Sequence, residues 1–175
     1  MATHNPHLWQ SAATFAAHAH RHQLRKDGVT PYFAHPVRVA MVIRQVFGCD
    51  DDAAICAGLL HDTIEDTTTD YDDLLTRFGR DVADIVAAMT KNMALPEHER
   101  ERDYDHRLAA GDWRARLVKL ADVYDNLCDS RDLTPDSAAK LPEKVKRAIA
   151  LAAQDRAKHP EMERAVRALE QIAAR

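Results

Sequence analysis

Between Asp50 and Asp73 the chain carries nine acidic residues and no Lys or Arg. At the centre of this stretch stands His61-Asp62-Thr63-Ile64-Glu65-Asp66, in which His61, Asp62, Glu65 and Asp66 can each ligate a metal or move a proton. The run follows an apolar segment that should be buried. So much negative charge beside a core is unfavourable unless something cationic binds there. A divalent metal meets that requirement and points to an enzyme. Mixed imidazole and carboxylate ligands suit Mn, Fe or Zn better than Ca or Mg. On a helix, His61 and Asp62 would point about 100° apart, so one ion is within reach of both only where the helix ends or is irregular. Glu65 lies one turn after His61 and Asp66 one turn after Asp62, so one pair can hold a metal while the other faces a substrate. Taken alone, Asp62 to Asp73 is also compatible with a solvated acidic loop capped by Thr67 or Thr69.

Two further groups stand where an incomplete site would need them. His35 precedes Pro36 at a helix start, and Asp122 ends the largely apolar stretch Leu117-Val118-Lys119-Leu120-Ala121. By itself His35 reads as a helix-entry histidine with a satisfied hydrogen bond, and Asp122 as a ligand or a structural ion pair. Their order, His…His-Asp…Asp across three helices, favours a shared metal.

The elements that must position these groups read as helices from end to end. Asn5-Pro6 is an N-cap followed by proline at the first helical position, after which Leu8, Ala12, Phe15, Ala16 and Ala19 recur at helical spacing. This helix is expected to end near Lys26, because Asp27-Gly28-Val29-Thr30-Pro31 is turn chemistry. A second is expected from Pro36 to Gly48, with Val37, Ala40, Met41 and Val46 inward. A third, from about Asp51 to His61, is apolar on most sides and therefore buried. Thr69 is expected to cap a helix through Phe78, and another follows from Asp81 to about Thr90. Leu95 to Arg107 reads as a loop entering an exposed helix. Asp112 caps a helix with Ala115, Leu117, Val118, Leu120, Ala121, Tyr124 and Leu127 largely inward. After Thr134-Pro135 two amphipathic helices span 136–174, broken at His159-Pro160.

With 175 residues, 46% hydrophobic and 30% charged, residues 1–175 are expected to form one domain. Five Gly and four Phe favour helix over strand. A net charge of −4 gives no reason to expect a nucleic-acid polymer as partner. Cys49, Cys56 and Cys128 form no CxxC pair, which argues for a reducing compartment. There is no signal-peptide pattern and no run of about 18 apolar residues, so a cytoplasmic location without a membrane partner is expected. P-loop, dinucleotide-fold, zincin and nucleophile-elbow motifs are absent. His18, His20 and His22 read as helix-surface residues, and Lys140, Lys144, Lys146 and Arg147 as a solvated helix face.

In their order, His35, His61-Asp62 and Asp122 resemble the HD-domain metal-dependent phosphohydrolases. The surroundings are more specific. Arg25-Lys26, Pro31-Tyr32, His35-Pro36, Leu59-Leu60-His61-Asp62, Glu65-Asp66-Thr67, Phe78-Gly79, Thr90-Lys91 and Lys119-Leu120-Ala121-Asp122 with Asn126 resemble the hydrolase domain of RelA/SpoT-type alarmone enzymes. The resemblance covers Ala12 to Thr134, about 70% of the chain. It is that of a stand-alone small alarmone hydrolase, similar to the metazoan SpoT homologue type, with no synthetase domain or regulatory tail following. It implies an all-α, single-domain HD-type bundle of about ten helices, in keeping with the periodic segments above. It assigns His35, His61, Asp62 and Asp122 to a metal, usually Mn2+, and makes Glu65 and Asp66 the catalytic acidic pair. Arg25, Lys26, Tyr32 and Asn126 would contact a small-molecule nucleotide. The implied reaction removes the 3′-pyrophosphate of ppGpp or pppGpp, giving GDP or GTP and pyrophosphate.

After Asp122 the chain departs from the family pattern of a basic residue, then an aromatic or His before the Asn, then another basic residue. Val123-Tyr124-Asp125-Asn126-Leu127-Cys128-Asp129 puts Asp125 in place of the ring and Cys128 in place of a basic group. Facing the pocket, these would remove positive charge and favour another phosphorylated nucleotide, such as NADP(H). An Asp125 turned away from it would matter little. A module that senses a nucleotide without cleaving it is the non-enzyme reading, against which the presence of both Glu65 and Asp66 argues.

Overall fold

A helix with no polar face has to lie where other helices cover it on every side. In the computed structural model, which describes residues 7–129 and 139–174, that helix is α3 (Asp52–Leu60). Asp51 caps it, accepting from the Ala54 N–H at 2.8 Å, and Ala54, Cys56, Ala57, Gly58, Leu59 and Leu60 are all buried. Packed around it are α1 (Leu8–Ala19), α2 (Ala34–Met41), α6 (Arg80–Met89) and α8 (Trp113–Cys128). Between α3 and α6 come a single turn, α4 (Thr63–Asp66), and α5 (Tyr71–Phe78). α7 (Glu97–Ala110) packs against α6 and α8, and α9 (Leu141–Ala152) and α10 (Pro160–Ala173) lie along α8. One apolar cluster runs through all of it, from Ala12 through Ile43, Leu60, Ile85 and Leu117 to Leu169. The all-α bundle expected from the sequence is therefore present, and among the described residues no strand interrupts it. No helix among the described residues is long and apolar enough to cross a membrane. The helix-start signals at Asn5-Pro6 and Thr134-Pro135 lie outside the described residues.

Gly58 is what lets α2 approach α3. A Cβ there would stand 2.8 Å from Ile43 Cδ1 and 3.3 Å from Ala40 Cα. Only hydrogen fits at that crossing, and it brings the His35 and His61 rings to 5.1 Å between centroids.

Several local expectations are corrected. α1 ends at Ala19, not near Lys26. His20 turns inward instead, buried against Tyr32 (ring centroids 4.8 Å apart) with Nδ1 2.6 Å from Gln23 Oε1, so it is not a surface histidine. The chain then doubles back: Arg25 N–H donates to Thr30 O at 2.8 Å, and Tyr32 N–H to Gln23 O at 2.9 Å. The Asp27 carboxylate accepts from the Val29 and Thr30 N–H groups at the tip, both at 2.9 Å. α2 continues into a π-turn at Val42–Val46, which shifts the helical phase. Val39, Val42 and Ile43 face the core, while Met41 and Val46 face solvent. Asp70, not Thr69, caps α5, in a reciprocal box with Asp73; the Thr69 hydroxyl instead accepts from Thr67 Oγ1 at 2.9 Å. Arg147 is not part of a solvated face either; it pairs with Asp105 at 2.6 Å and Glu101 at 2.7 Å across the α7–α9 contact.

The C-terminal helices are locked to α8 by a buried ion pair. Arg116 Nε donates to Asp155 Oδ2 at 2.5 Å, and its Nη1 reaches the carbonyl oxygen of Gly111 at 2.8 Å. Replacing Arg116 by Met should therefore lower stability by about 3–5 kcal/mol, because Asp155 is left buried and unpaired. Chemical denaturation of the variant against the parent measures this, and a loss below about 1 kcal/mol would contradict the pairing.

Candidate metal centre and active site

α3 stops one residue before His61. The Thr63 hydroxyl donates back to Leu60 O at 2.7 Å, and Asp62, at φ −99° and ψ −1°, turns the chain into α4. This is the irregularity that adjacent ligands require. His61 Nε2 lies 3.0 Å from Asp62 Oδ2. From the start of α2, His35 Nε2 comes within 3.6 Å of the same oxygen and 3.3 Å of Asp122 Oδ1. Asp122 Oδ1, from the middle of α8, is 4.0 Å from His61 Nε2. One ligand atom from each of His35, His61 and Asp62 falls within 4.8 Å of the others. All four residues expected to hold a metal are thus together.

Hydrogen bonds on the far side of each ring decide what the near side offers. His61 Nδ1 faces Gly58 O at 2.9 Å, and His35 Nδ1 faces Asp125 Oδ2 at 2.7 Å. Both partners only accept, so in the neutral rings Nδ1 carries the proton and Nε2 keeps its lone pair. His61 Nε2 is fully buried and has no hydrogen-bond partner, since Asp62 lies too far off its axis to form one. Two lone-pair nitrogens and two carboxylates converging in a buried place fit a divalent ion of borderline softness.

The electrostatics agree. Burial would depress His35, but hydrogen bonds to Asp122 and Asp125 and the charge of Asp62 outweigh it and push His35 up to about 9. Burial likewise opposes charge on His61, and Asp62 overrides it. Asp62, raised by burial but lowered more by His61, is held near 2. Asp122 is held well below the usual carboxylate range, burial being outweighed by Lys119 and the two imidazoles. Without an ion these carboxylates favour a second proton on each ring, at Nε2; a cation bound there would take that proton's place.

An HD-domain family model, described as "HD domain", matches residues 12–155. The chain belongs to the HD-domain family. Its relatives include the guanosine-3′,5′-bis(diphosphate) 3′-pyrophosphohydrolase MESH1 of Xenopus tropicalis, 43% identical over 126 residues, covering 71% of this chain and 70% of that one. The protein of the same name in Homo sapiens is 42% identical over 126 residues, with the same coverage. A solved structure described as a metazoan ortholog of SpoT that hydrolyses ppGpp superimposes with a TM-score of 0.78 at 29% identity, over 98% of this chain and 96% of that one.

Around this candidate metal cluster the remaining candidates take distinct places. Glu65 Oε2 accepts from the Lys91 N–H at 2.9 Å; burial, then Asp62 and Asp66, raise its carboxyl despite that bond. Asp66 is raised by burial and by Asp62. The Tyr32 hydroxyl donates to Asp62 Oδ2 at 2.7 Å and lies 3.3 Å from Asp66 Oδ2, so it grips a metal candidate and a catalytic candidate at once. Arg25, held by Asp129 at 2.9 Å and Asn126 Oδ1 at 3.2 Å, is fixed before any ligand arrives. Lys26 is exposed. Asn126 Nδ2 donates to Asp122 Oδ1 at 2.6 Å, which ties it to the metal cluster as well as to the place expected for a nucleotide.

Three groups that sequence reasoning did not assign also serve this centre. Lys119 Nζ is 2.9 Å from Asp122 Oδ2 and lies over the Tyr104 ring; its i,i+3 spacing to Asp122 was the available signal. Beside it opens a cleft of about 530 Å³ lined by Lys91, Glu101, Tyr104, Lys144 and Arg147 among others. Partial burial and the like charges of Lys119, Lys91 and Lys26 push Lys144 down. Arg38, one turn after His35, completes the set with Nε 2.6 Å from Asp125 Oδ1. Asp125 is therefore buried against the back of His35, and Cys128 is exposed at the end of α8.

If Asn126 orients Asp122, Asn126→Ala should weaken divalent-ion binding by about tenfold, within the range for outer-shell partners. Calorimetric titration of the metal-free protein measures it. Unchanged ion affinity would leave Asn126 with nucleotide contacts alone.

Proposed function

We propose that this chain is a metal-dependent guanosine-3′,5′-bis(diphosphate) 3′-pyrophosphohydrolase, converting ppGpp or pppGpp to GDP or GTP and pyrophosphate. The observation that carries the reading is the convergence of two Nε2 lone pairs, Asp62 and Asp122 beside the raised carboxyls of Glu65 and Asp66, in a chain 43% identical to a relative named for this activity.

His35, His61, Asp62 and Asp122 would hold the ion, with Mn2+ as the metal proposed. When bound, such an ion acidifies a water and polarises a phosphoryl oxygen. The chain supplies the rest. Glu65, anchored by the Lys91 N–H and made more basic by burial, takes the proton of the attacking water, and Asp66 orients that water. Arg25 and Lys26 hold phosphates at one side of the centre. Lys119, Lys91 and Lys144, with Lys26 close enough to act on Lys144, add positive charge suited to the second diphosphate of a polyanionic substrate. Tyr32 braces Asp62 and closes the site towards the nucleotide.

The residue that made another phosphorylated nucleotide attractive, Asp125, is neutralised by Arg38 and turned away, so its charge does not oppose a guanosine tetraphosphate. The continuous apolar cluster supports residues 1–175 working as one unit, and the buried thiols of Cys49 and Cys56 suit the reducing cytoplasm.

Metal-free protein given Mn2+ should release pyrophosphate from ppGpp; phosphate release only from NADPH, or no release from either, would overturn the assignment. Asp62→Asn should lose metal uptake. Glu65→Gln should keep the metal and lose about 10²-fold or more in rate, and a Glu65→Gln variant at full rate would remove Glu65 from catalysis.

A further inference from the structure

Asp125 and Arg38 occupy matching places on facing helices. Asp125 is one turn after Asp122 on α8, and Arg38 one turn after His35 on α2, so each shares a helix face with a metal candidate. Asp125 is 2% exposed. Its Oδ2 lies 2.7 Å from His35 Nδ1. Its other oxygen, Oδ1, accepts from Arg38 Nε at 2.6 Å while Arg38 Nη2 reaches Oδ2 at 3.1 Å, a two-pronged grip on one carboxylate. Arg38 Nη2 also donates to Asp129 Oδ2 at 2.8 Å, and that oxygen accepts from Arg25 Nη2 at 2.9 Å.

We propose that Asp125 is a positioning residue that presents His35 to the metal through Nε2, and that Arg38 is the counter-charge that allows a buried carboxylate to stand beside Asp62 and Asp122. The inference rests on the metal-dependent reading above. An ionised carboxylate can only accept, so a neutral His35 must carry its proton on Nδ1 and leave Nε2 for a ligand role. The same contact fixes the ring's rotation and strengthens it as a donor to a cation. His61 receives the equivalent service from the Gly58 carbonyl, which no side-chain substitution removes. His35 depends on a side chain, at the very position where this chain departs from the family pattern.

A carboxylate added beside Asp62 and Asp122 would by itself oppose folding and repel an anionic substrate. Arg38 answers both difficulties. It neutralises Asp125 from the side away from the metal cluster, and through Asp129 it connects the brace to Arg25. The series of contacts His35–Asp125–Arg38–Asp129–Arg25–Asn126–Asp122 then joins two metal candidates to two nucleotide candidates, Arg25 and Asn126, through charged hydrogen bonds.

The test is calorimetric titration of Mn2+ into the metal-free full chain, comparing the parent with Asp125→Asn, Asp125→Leu and Arg38→Met, with circular dichroism to check each fold. Asp125→Leu should bind Mn2+ about 10–100-fold more weakly. Asp125→Asn, which keeps the shape and an acceptor oxygen, should bind about tenfold more weakly even if the Leu variant fails to fold. At saturating Mn2+, Asp125→Asn should recover turnover with KM for ppGpp within about twofold of the parent, since no substrate contact was removed. Parent-like Mn2+ affinity in Asp125→Asn, or a large rise in KM with affinity intact, would overturn the inference. Failure of the parent itself to bind Mn2+ would overturn the metal reading along with it. Failure of the parent to hydrolyse ppGpp while binding Mn2+ would defeat only the substrate assignment, leaving the titration to decide the role of Asp125.

Discussion

Asp62, Asp122 and Asp125 meet two imidazoles where α2, α3 and α8 come together, inside a helical core that cannot tolerate unneutralised charge. Most of what surrounds the centre follows from that concentration. Each carboxylate has a specific answer: Lys119 for Asp122, Arg38 for Asp125, and the His61 ring with the Tyr32 hydroxyl for Asp62. Both imidazoles are driven toward the charged form by their acidic neighbours. A cluster so arranged is complementary to a cation, and the misaligned, unpartnered Nε2 of His61 marks the side from which one would be held.

The bundle is built to let those side chains meet. Gly58 allows α2 to cross α3 closely enough for the two rings to touch. The break after Leu60 turns His61 and Asp62 to a common point. The turn at Asp27 folds the chain back so that Arg25 and Tyr32 flank the centre instead of extending α1 into solvent. Ligands drawn from three rigid helices need no further ordering, which is how a buried site keeps its geometry.

Much of this was legible in the residues. His35, His61, Asp62 and Asp122 stand out because ligand-type side chains end or interrupt segments that are otherwise apolar, and the order of the four across helices is specific. The all-apolar Ala53 to Leu60 could only be central. What escaped was mostly a matter of phase. A five-residue π-turn lets Val42 face inward and leaves Val46, expected inward, facing solvent, and no composition signal announces it. His20 reads as a surface residue only if α1 continues; once the helix ends at Ala19 the same residue is core. Asp125 was the hardest, because a charged residue one turn from a polar centre can face either substrate or scaffold. Its partner Arg38 lies 87 residues away in sequence.

The central claim is that these four side chains share one divalent ion. Anomalous diffraction from crystals of the protein grown with Mn2+, recorded at the manganese absorption edge, tests it most directly. A single strong peak bounded by His35, His61, Asp62 and Asp122 is the expected result. A peak confined to the exposed acids of the Asp70–Asp73 turn, or no peak at all, would contradict it.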